Sequence, residues 1–106
     1  MRLSVLVLAV TLGVVGAPAL AEERDVWVER GQRLFFEQGC FGCHTVGKVG
    51  TPIGPDLSQV GAKYPPSYLV GWLRDPTTQE PKAHMPKIEL GEDEIRALAA
   101  YLSTLR

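Results

Sequence analysis

The hydrophobic positions of this chain fall into four stretches of different texture. Leu3 to Gly16 is apolar without a single charge. From about Asp25 to Gln38 the apolar residues are spaced instead: Trp27, Gly31, Leu34 and Phe35 share one helical face, and Glu29, Arg30, Arg33 and Glu37 take the wet side. Asp25 stands where a cap is expected and Gly39 where a helix stops. A shorter stretch, Pro66 to Arg74, sets Tyr68, Leu69, Trp72 and Leu73 on one face; Pro66 suits a first helical turn and Asp75-Pro76 ends it. The last runs from Glu92 to about Leu105. Gly91 sits at its cap, Glu92, Asp93 and Glu94 crowd the first turn where negative charge suits the helix dipole, and Ile95, Leu98, Ala99, Leu102 and Leu105 recur at spacings of three and four.

Between these helices lie two Gly- and Pro-rich loops, 45–65 and 76–90, and no segment alternates with period two. Irregular loops of that length are unusual in a small domain and generally serve function. They read as walls wrapped around something that is not protein. The pattern therefore predicts an all-α domain of three to four short helices whose long loops need a cofactor to pack against.

The 106 residues make one small domain at most, and the first stretch is not part of it. Met1-Arg2 gives a positive start, the apolar run of 14 residues (3–16) falls short of the roughly 20 that span a bilayer, and Ala19-Leu20-Ala21 ends in small residues just before Glu22, Glu23 and Asp25. This order predicts a secretory signal peptide over 1–21, a domain over 22–106, and export to the periplasm or beyond. The alternative is an uncleaved N-terminal anchor. Nothing later is apolar enough to span a membrane. Loss of Arg2 with the leader leaves ten basic residues against twelve acidic ones, and no basic stripe points to nucleic acid. The chain's two cysteines sit in one motif, and in an oxidising compartment they either pair or are used in chemistry.

That motif is Cys40-Phe41-Gly42-Cys43-His44, the C-x-x-C-H of covalent haem c attachment. Two intervening residues let one turn of chain set both sulfurs along the side of the macrocycle that carries its vinyl groups, and the next residue aims its imidazole at the iron. Gly42 would let the backbone pass close to the ring. A thioredoxin-like pair would need a βαβ context, half a zinc site lacks a second pair of ligands, and a disulfide between cysteines three apart staples little chain. A second axial ligand must come from the later loop, where His84-Met85-Pro86 offers His84, Met85, or neither. Met85 is the one methionine after residue 1, and a lone Met in a polar, proline-flanked loop is better explained by thioether ligation than by gap filling. An open sixth position would instead favour gas binding or peroxidase chemistry. The metal-bound His usually donates its other N–H to a carbonyl. Gly54-Pro55-Asp56-Leu57 offers one at Pro55, eleven residues on, although the same four residues also read as an ordinary turn.

Taken together, the pieces resemble class I cytochromes c, most closely small bacterial monohaem ones, over essentially all of residues 25–106. They stand in that family's order: a helix with Gly31 and Leu34-Phe35, then C-F-G-C-H, G-P-D-L at 54–57, Y-L-V-G-W-L-R-D-P at 68–76, H-M-P at 84–86 and the helix E-I-R-A-L-A-A-Y-L at 94–102. The resemblance implies a cytochrome c-like fold around one covalent haem c. It makes Cys40 and Cys43 the thioether residues, His44 and Met85 the iron ligands, and the Pro55 carbonyl the acceptor from His44. It implies a crossing of the first and last helices at Gly31, against the Ile95–Tyr101 region, and a loosely carried contact of Trp72 or Tyr64 with a haem propionate; Trp72 as plain core is the competing reading. It also implies an electron carrier, not an enzyme, with a donor and an acceptor protein as partners. The 68–76 stretch followed by Met-Pro is similar as well to haem subunits of thiosulfate-oxidising complexes and to cytochrome domains of respiratory oxidases, so a subunit of a larger oxidoreductase complex is the alternative. Lys48, Lys63, Lys82 and Lys87 lie in the loops expected around the haem, where they would steer partners by charge or simply solubilise.

Overall fold

The computed structural model describes residues 4–7 and 17–106. Residues 1–3 and 8–16, which hold the charged start and most of the apolar run of the expected leader, lie outside the described residues.

Five α-helices and one small hairpin make up the described chain. Helix α1 spans Ala17–Glu37, a 3₁₀ turn follows at Cys40–Gly42, and strands β1 (Thr45–Val46) and β2 (Val49–Gly50) pair antiparallel, Thr45 opposite Gly50 and Val46 opposite Val49. Helices α2 (Val60–Lys63), α3 (Pro66–Arg74), α4 (Pro76–Gln79) and α5 (Glu92–Ser103) complete the order. The α3 limits and the α5 start match the sequence pattern. Two short helices and the hairpin are additions inside segments expected to be plain loops; strands of two residues are too brief to show a period. Helix α1 starts well before Asp25, because Ala17–Arg24 is rich in Ala, Leu, Glu and Arg, all good helix formers. Asp25 is therefore an exposed mid-helix residue, and the helix runs unbroken through Ala21. Among the described residues no helix is long and apolar enough to cross a membrane.

Local chemistry accounts for the helix ends. Pro66 and Pro76 each occupy a first turn, where the missing N–H is no loss. The Asp75 carboxylate accepts from the Thr77 N–H at 3.1 Å and the Thr77 hydroxyl at 2.7 Å, so it stops α3 and caps α4 in one place. At α5 the Glu94 carboxylate reaches back to accept the Gly91 N–H at 2.9 Å. Arg74 and Glu92 form a two-pronged pair at 3.1 and 2.7 Å that ties the end of α3 to the start of α5 across the surface.

Helix α5 buries a wider stripe than its spacing implied: Ala97 and Tyr101 join Ile95, Leu98, Ala99 and Leu102 in the core. The reason is that α5 packs against α1 on one side and α3 on the other. Leu34 and Phe35 of α1 and Leu69 and Leu73 of α3 close the core around it. The α1–α5 crossing lies at Gly31, where a Cβ would run into the Ala97 carbonyl and come within 2.8 Å of the Tyr101 Cβ. Only a residue without a side chain lets the two backbones approach this closely. Phe35 carries the crossing toward the C-x-x-C-H turn, its ring edge-on to Phe41 at 4.8 Å and tilted on Tyr101 at 5.5 Å.

Gly31→Ala is expected to destabilise the folded chain by about 1–3 kcal/mol, since the added methyl meets backbone that has nowhere to retreat. A thermal melt of the variant at the wild-type temperature would contradict this.

Candidate functional site

Beside that core lies a cavity of about 540 Å³, a size ordinary for cofactor and small-molecule sites, which run roughly 300–1,000 Å³. Its walls are mainly apolar. Phe35, Leu98 and Leu102 reach it from the core, Leu57 and Val60 from the first loop, and Tyr68, Leu69, Trp72 and Leu73 from α3. Every residue singled out in the sequence for chemistry lies on this lining: Cys40, Cys43, His44, Pro55 and Met85. His84 is there too, but it is exposed, whereas Met85 is half-buried.

One wall is set by the tight turn after α1. The Cys43 and His44 N–H groups both donate to the Cys40 carbonyl, at 3.2 and 2.9 Å. This winding brings two thiols and an imidazole from five consecutive residues to a single face. Cys40 is half-buried, and burial raises its thiol pKa above the ordinary value, with the neighbouring Cys43 adding to the rise. The His44 ring is held from behind: Nδ1–H donates to the Pro55 carbonyl at 2.8 Å, the tautomer being assigned from that carbonyl acceptor. Nε2 is then the ring nitrogen left with a free lone pair. Gly54 lies close to the same ring, and a Cβ there would lie 2.8 Å from His44 Cε1. Gly42, by contrast, would meet no protein atom within 4 Å if it carried a Cβ.

The carbonyl that holds His44 is itself fixed by a polar knot that sequence reading missed. Asp56 Oδ1 accepts from the Thr45 hydroxyl (3.0 Å), the Ser58 N–H (3.1 Å) and the Ser58 hydroxyl (2.7 Å), and Ser58 Oγ accepts the Gly47 N–H at 2.7 Å. Asp-x-Ser is an Asx-turn signature and was the available clue. The knot ties 54–58 to the hairpin directly after His44. The hydrogen bond from the Ser58 hydroxyl, with those from Ser58 N–H and Thr45, holds the Asp56 carboxyl below its ordinary 3.8. Elsewhere on the lining Trp72 Nε1–H donates to Met85 Sδ at 3.1 Å.

The residues fit the group the resemblance implied. The lining supplies two thiols, an imidazole with one nitrogen already engaged, a thioether and an apolar enclosure, a donor set suited to a covalently linked iron porphyrin. It does not suit the alternatives. Among the described residues no three His, Cys, Asp or Glu side chains gather as a metal site, and the one sheet is the two-residue hairpin rather than a βαβ unit.

Because Asp56 is depressed in the folded chain, its stabilising contribution is present above the ordinary carboxylate range and is lost as pH falls through the lowered value. Asp56→Asn keeps an acceptor but not the charge. Its melting temperature should lie below the wild-type value near neutral pH and converge with it once pH has fallen below the ordinary carboxylate range and through the lowered value. A gap that persists unchanged into acid would show that the carboxylate charge is not what matters.

Comparison with known proteins agrees with the geometry. The model of the family described as Cytochrome c matches residues 28–106. The chain is 30% identical over 109 residues to cytochrome c oxidase subunit 2 of Alkalihalophilus pseudofirmus, covering 80% of this chain and 32% of that protein. It is 31% identical over 84 residues to a nitric oxide reductase subunit of Paracoccus denitrificans, covering 71% of this chain and 56% of that protein. The chain thus spans about a third and somewhat over half of these two relatives' lengths. The family match takes in the whole of the helical core and both cavity walls, so this chain belongs to the cytochrome c family and, with it, to proteins that bind haem c covalently and transfer electrons.

Proposed function

We propose that this chain is an exported one-electron carrier whose haem c is held through thioethers at Cys40 and Cys43, with His44 and Met85 as the axial ligands of the iron. The observation that carries this reading is that one cavity is lined by both a His44 ring hydrogen-bonded to Pro55 and a Met85 sulfur hydrogen-bonded to Trp72. When bound, the haem iron supplies a single electron's worth of redox change. The protein's part is structural. The Pro55 carbonyl orients the imidazole and strengthens its donation to a metal. The Asp56 knot keeps that carbonyl in place. The apolar walls exclude water, and two protein ligands leave no position for a substrate, which argues for a carrier rather than an enzyme. Met85 is preferred to His84 because it is half-buried and hydrogen-bonded, while His84 is exposed.

Export rests on the leader over 1–21, with the carrier domain at 22–106 lying in the periplasm or outside the cell. Donor and acceptor proteins would meet the cavity mouth. Lys63 and Lys82 line it, whereas Lys48 and Lys87 do not, so charge steering is assigned to the first two. A second reading is favoured by the relatives, both of which are subunits of oxidoreductases by name: the chain would be the haem-bearing part of a larger respiratory or thiosulfate-oxidising complex. Co-purification with a larger catalytic chain separates the two.

The test is an optical spectrum and redox titration of the purified exported protein, together with its mass. The polypeptide should carry the mass of one tetrapyrrole, begin at Glu22, and show in its ferric form the weak far-red band of thioether sulfur on iron; a mass without the tetrapyrrole overturns the reading. Met85→Ala should keep the covalent haem, lose that band and shift to a lower potential, since Met/His ligation raises it. An unchanged potential would remove Met85 from the ligand role. Electron transfer to an acidic partner should slow as salt rises from low to about 0.5 M, through screening of Lys63 and Lys82. A flat salt profile would exclude steering.

A further inference from the structure

The face of α1 that meets α5 at Gly31 continues N-terminally past the crossing. Leu20, Glu23, Arg24 and Trp27 stand on it at positions i, i+3, i+4 and i+7 of the helix. With Arg96 and Ala100 of α5 they line a second groove, of about 290 Å³. None of these six residues lines the cavity that holds Cys40, Cys43 and His44. Arg96 and Ala100 are each two residues from Leu98, roughly 200° around α5, and Leu98 belongs to the cavity lining. The groove therefore opens on the far side of α5.

Its arginines lack ion-pair partners. The Arg96 guanidinium lies over the Trp27 ring at 4.3 Å from the centroid, and that of Arg30 lies 5.8 Å from the same ring. Glu92, four residues back on α5, is the ordinary helical partner for Arg96, but its carboxylate is held by Arg74 through two hydrogen bonds. Arg24 and Arg30 have no acidic residue three or four places away on α1. Among the described residues the one salt bridge is Arg74–Glu92. Contact with an aromatic face uses the π surface of a guanidinium and leaves its N–H fork for an oxyanion, with less side-chain freedom to lose on binding. The backbone beneath is fixed as well, since Ala97, next to Arg96, is the residue whose carbonyl meets Gly31.

We infer that this groove docks a protein partner that presents a carboxylate to Arg96 and Arg24 beside an apolar side chain on Trp27. The inference stands apart from the ligand assignment at the iron. Tryptophan and arginine are enriched at the energetic centres of protein interfaces. The surrounding charge selects the class of partner. Over residues 22–30, Glu22, Glu23, Asp25 and Glu29 outnumber Arg24 and Arg30, so a densely anionic surface such as a phospholipid bilayer is repelled as a whole. A single carboxylate meets the guanidiniums at short range, where the farther charges are screened, and Glu23 in the lining receives a basic group beside it. Leu20 falls within the expected leader, and the other five residues remain after its removal. A partner held on this side leaves the cavity mouth open for electron exchange, so the groove serves attachment and not redox contact.

The test uses the reduced holoprotein and, as probe, a short acetylated and amidated peptide with one glutamate between leucines and one lysine, followed through the Trp27 indole N–H resonance. The peptide is expected to shift that resonance to saturation. Arg96→Glu should weaken its binding at least about tenfold, equivalent to about 1.4 kcal/mol, with haem spectrum and potential unchanged. A resonance that does not move, or an affinity that Arg96→Glu leaves unaltered, overturns the inference. Should Arg96→Glu fail to fold, Arg24→Glu, at an exposed position away from the crossing, decides by the same two outcomes. Vesicles of anionic phospholipid, and inorganic phosphate at the peptide's half-saturating concentration, should each leave the resonance in place. A shift with either as large as with the peptide would overturn the assignment to a protein partner.

Discussion

The approach of α1 to α5 at Gly31 is the contact from which the rest of the molecule is arranged. Two backbones lie close enough there that a single methyl would strike the Ala97 carbonyl. That proximity decides where Phe35 falls, and Phe35 is at once core to Tyr101, neighbour to Phe41 in the attachment turn, and part of the cavity lining. The helix crossing and the site are therefore not independent. Leu98 and Leu102 of α5 likewise belong both to the core cluster and to the cavity.

A small domain that encloses a large cofactor gives up much of the apolar contact a core would otherwise make. Here the deficit is met by short polar devices rather than by more hydrophobic side chains. Asp56 gathers three donors at the base of the first loop, Asp75 joins α3 to α4, and Arg74 bridges to Glu92. Each lies at the surface, where a single hydrogen bond contributes little. Their value lies in geometry: they fix the segments that carry the cavity lining, 54–58 against the hairpin and the end of α3 against α4 and α5.

The two walls are built on one plan. On each, a side chain that would hold the iron makes one hydrogen bond to a neighbouring group: His44 to the Pro55 carbonyl, and Met85 from the Trp72 indole. The chemistry of the braces is opposite. An acceptor behind the imidazole increases its donation, and a donor on the thioether decreases the sulfur's.

What could be read from the amino acids alone was what depends on local order. C-x-x-C-H names its own chemistry because five consecutive residues carry it. Pro66 to Arg74 and the acidic start at Glu92 show their helices because propensity, capping and periodicity act within a few residues. The start of α1 was misplaced at Asp25 because a good capping residue loses to uninterrupted helix-forming sequence on its N-terminal side. The hairpin at 45–50 and the helices at 60–63 and 76–79 were missed because elements of two to four residues exist only through what they pack against. Tertiary structure alone decided the rest: that Ala97 and Tyr101 are buried, since α5 packs against α1, α2 and α3 rather than one helix; that Asp56 fastens the first loop to the hairpin; and that the Trp72 indole meets the Met85 sulfur, a pairing over thirteen residues that no local spacing encodes.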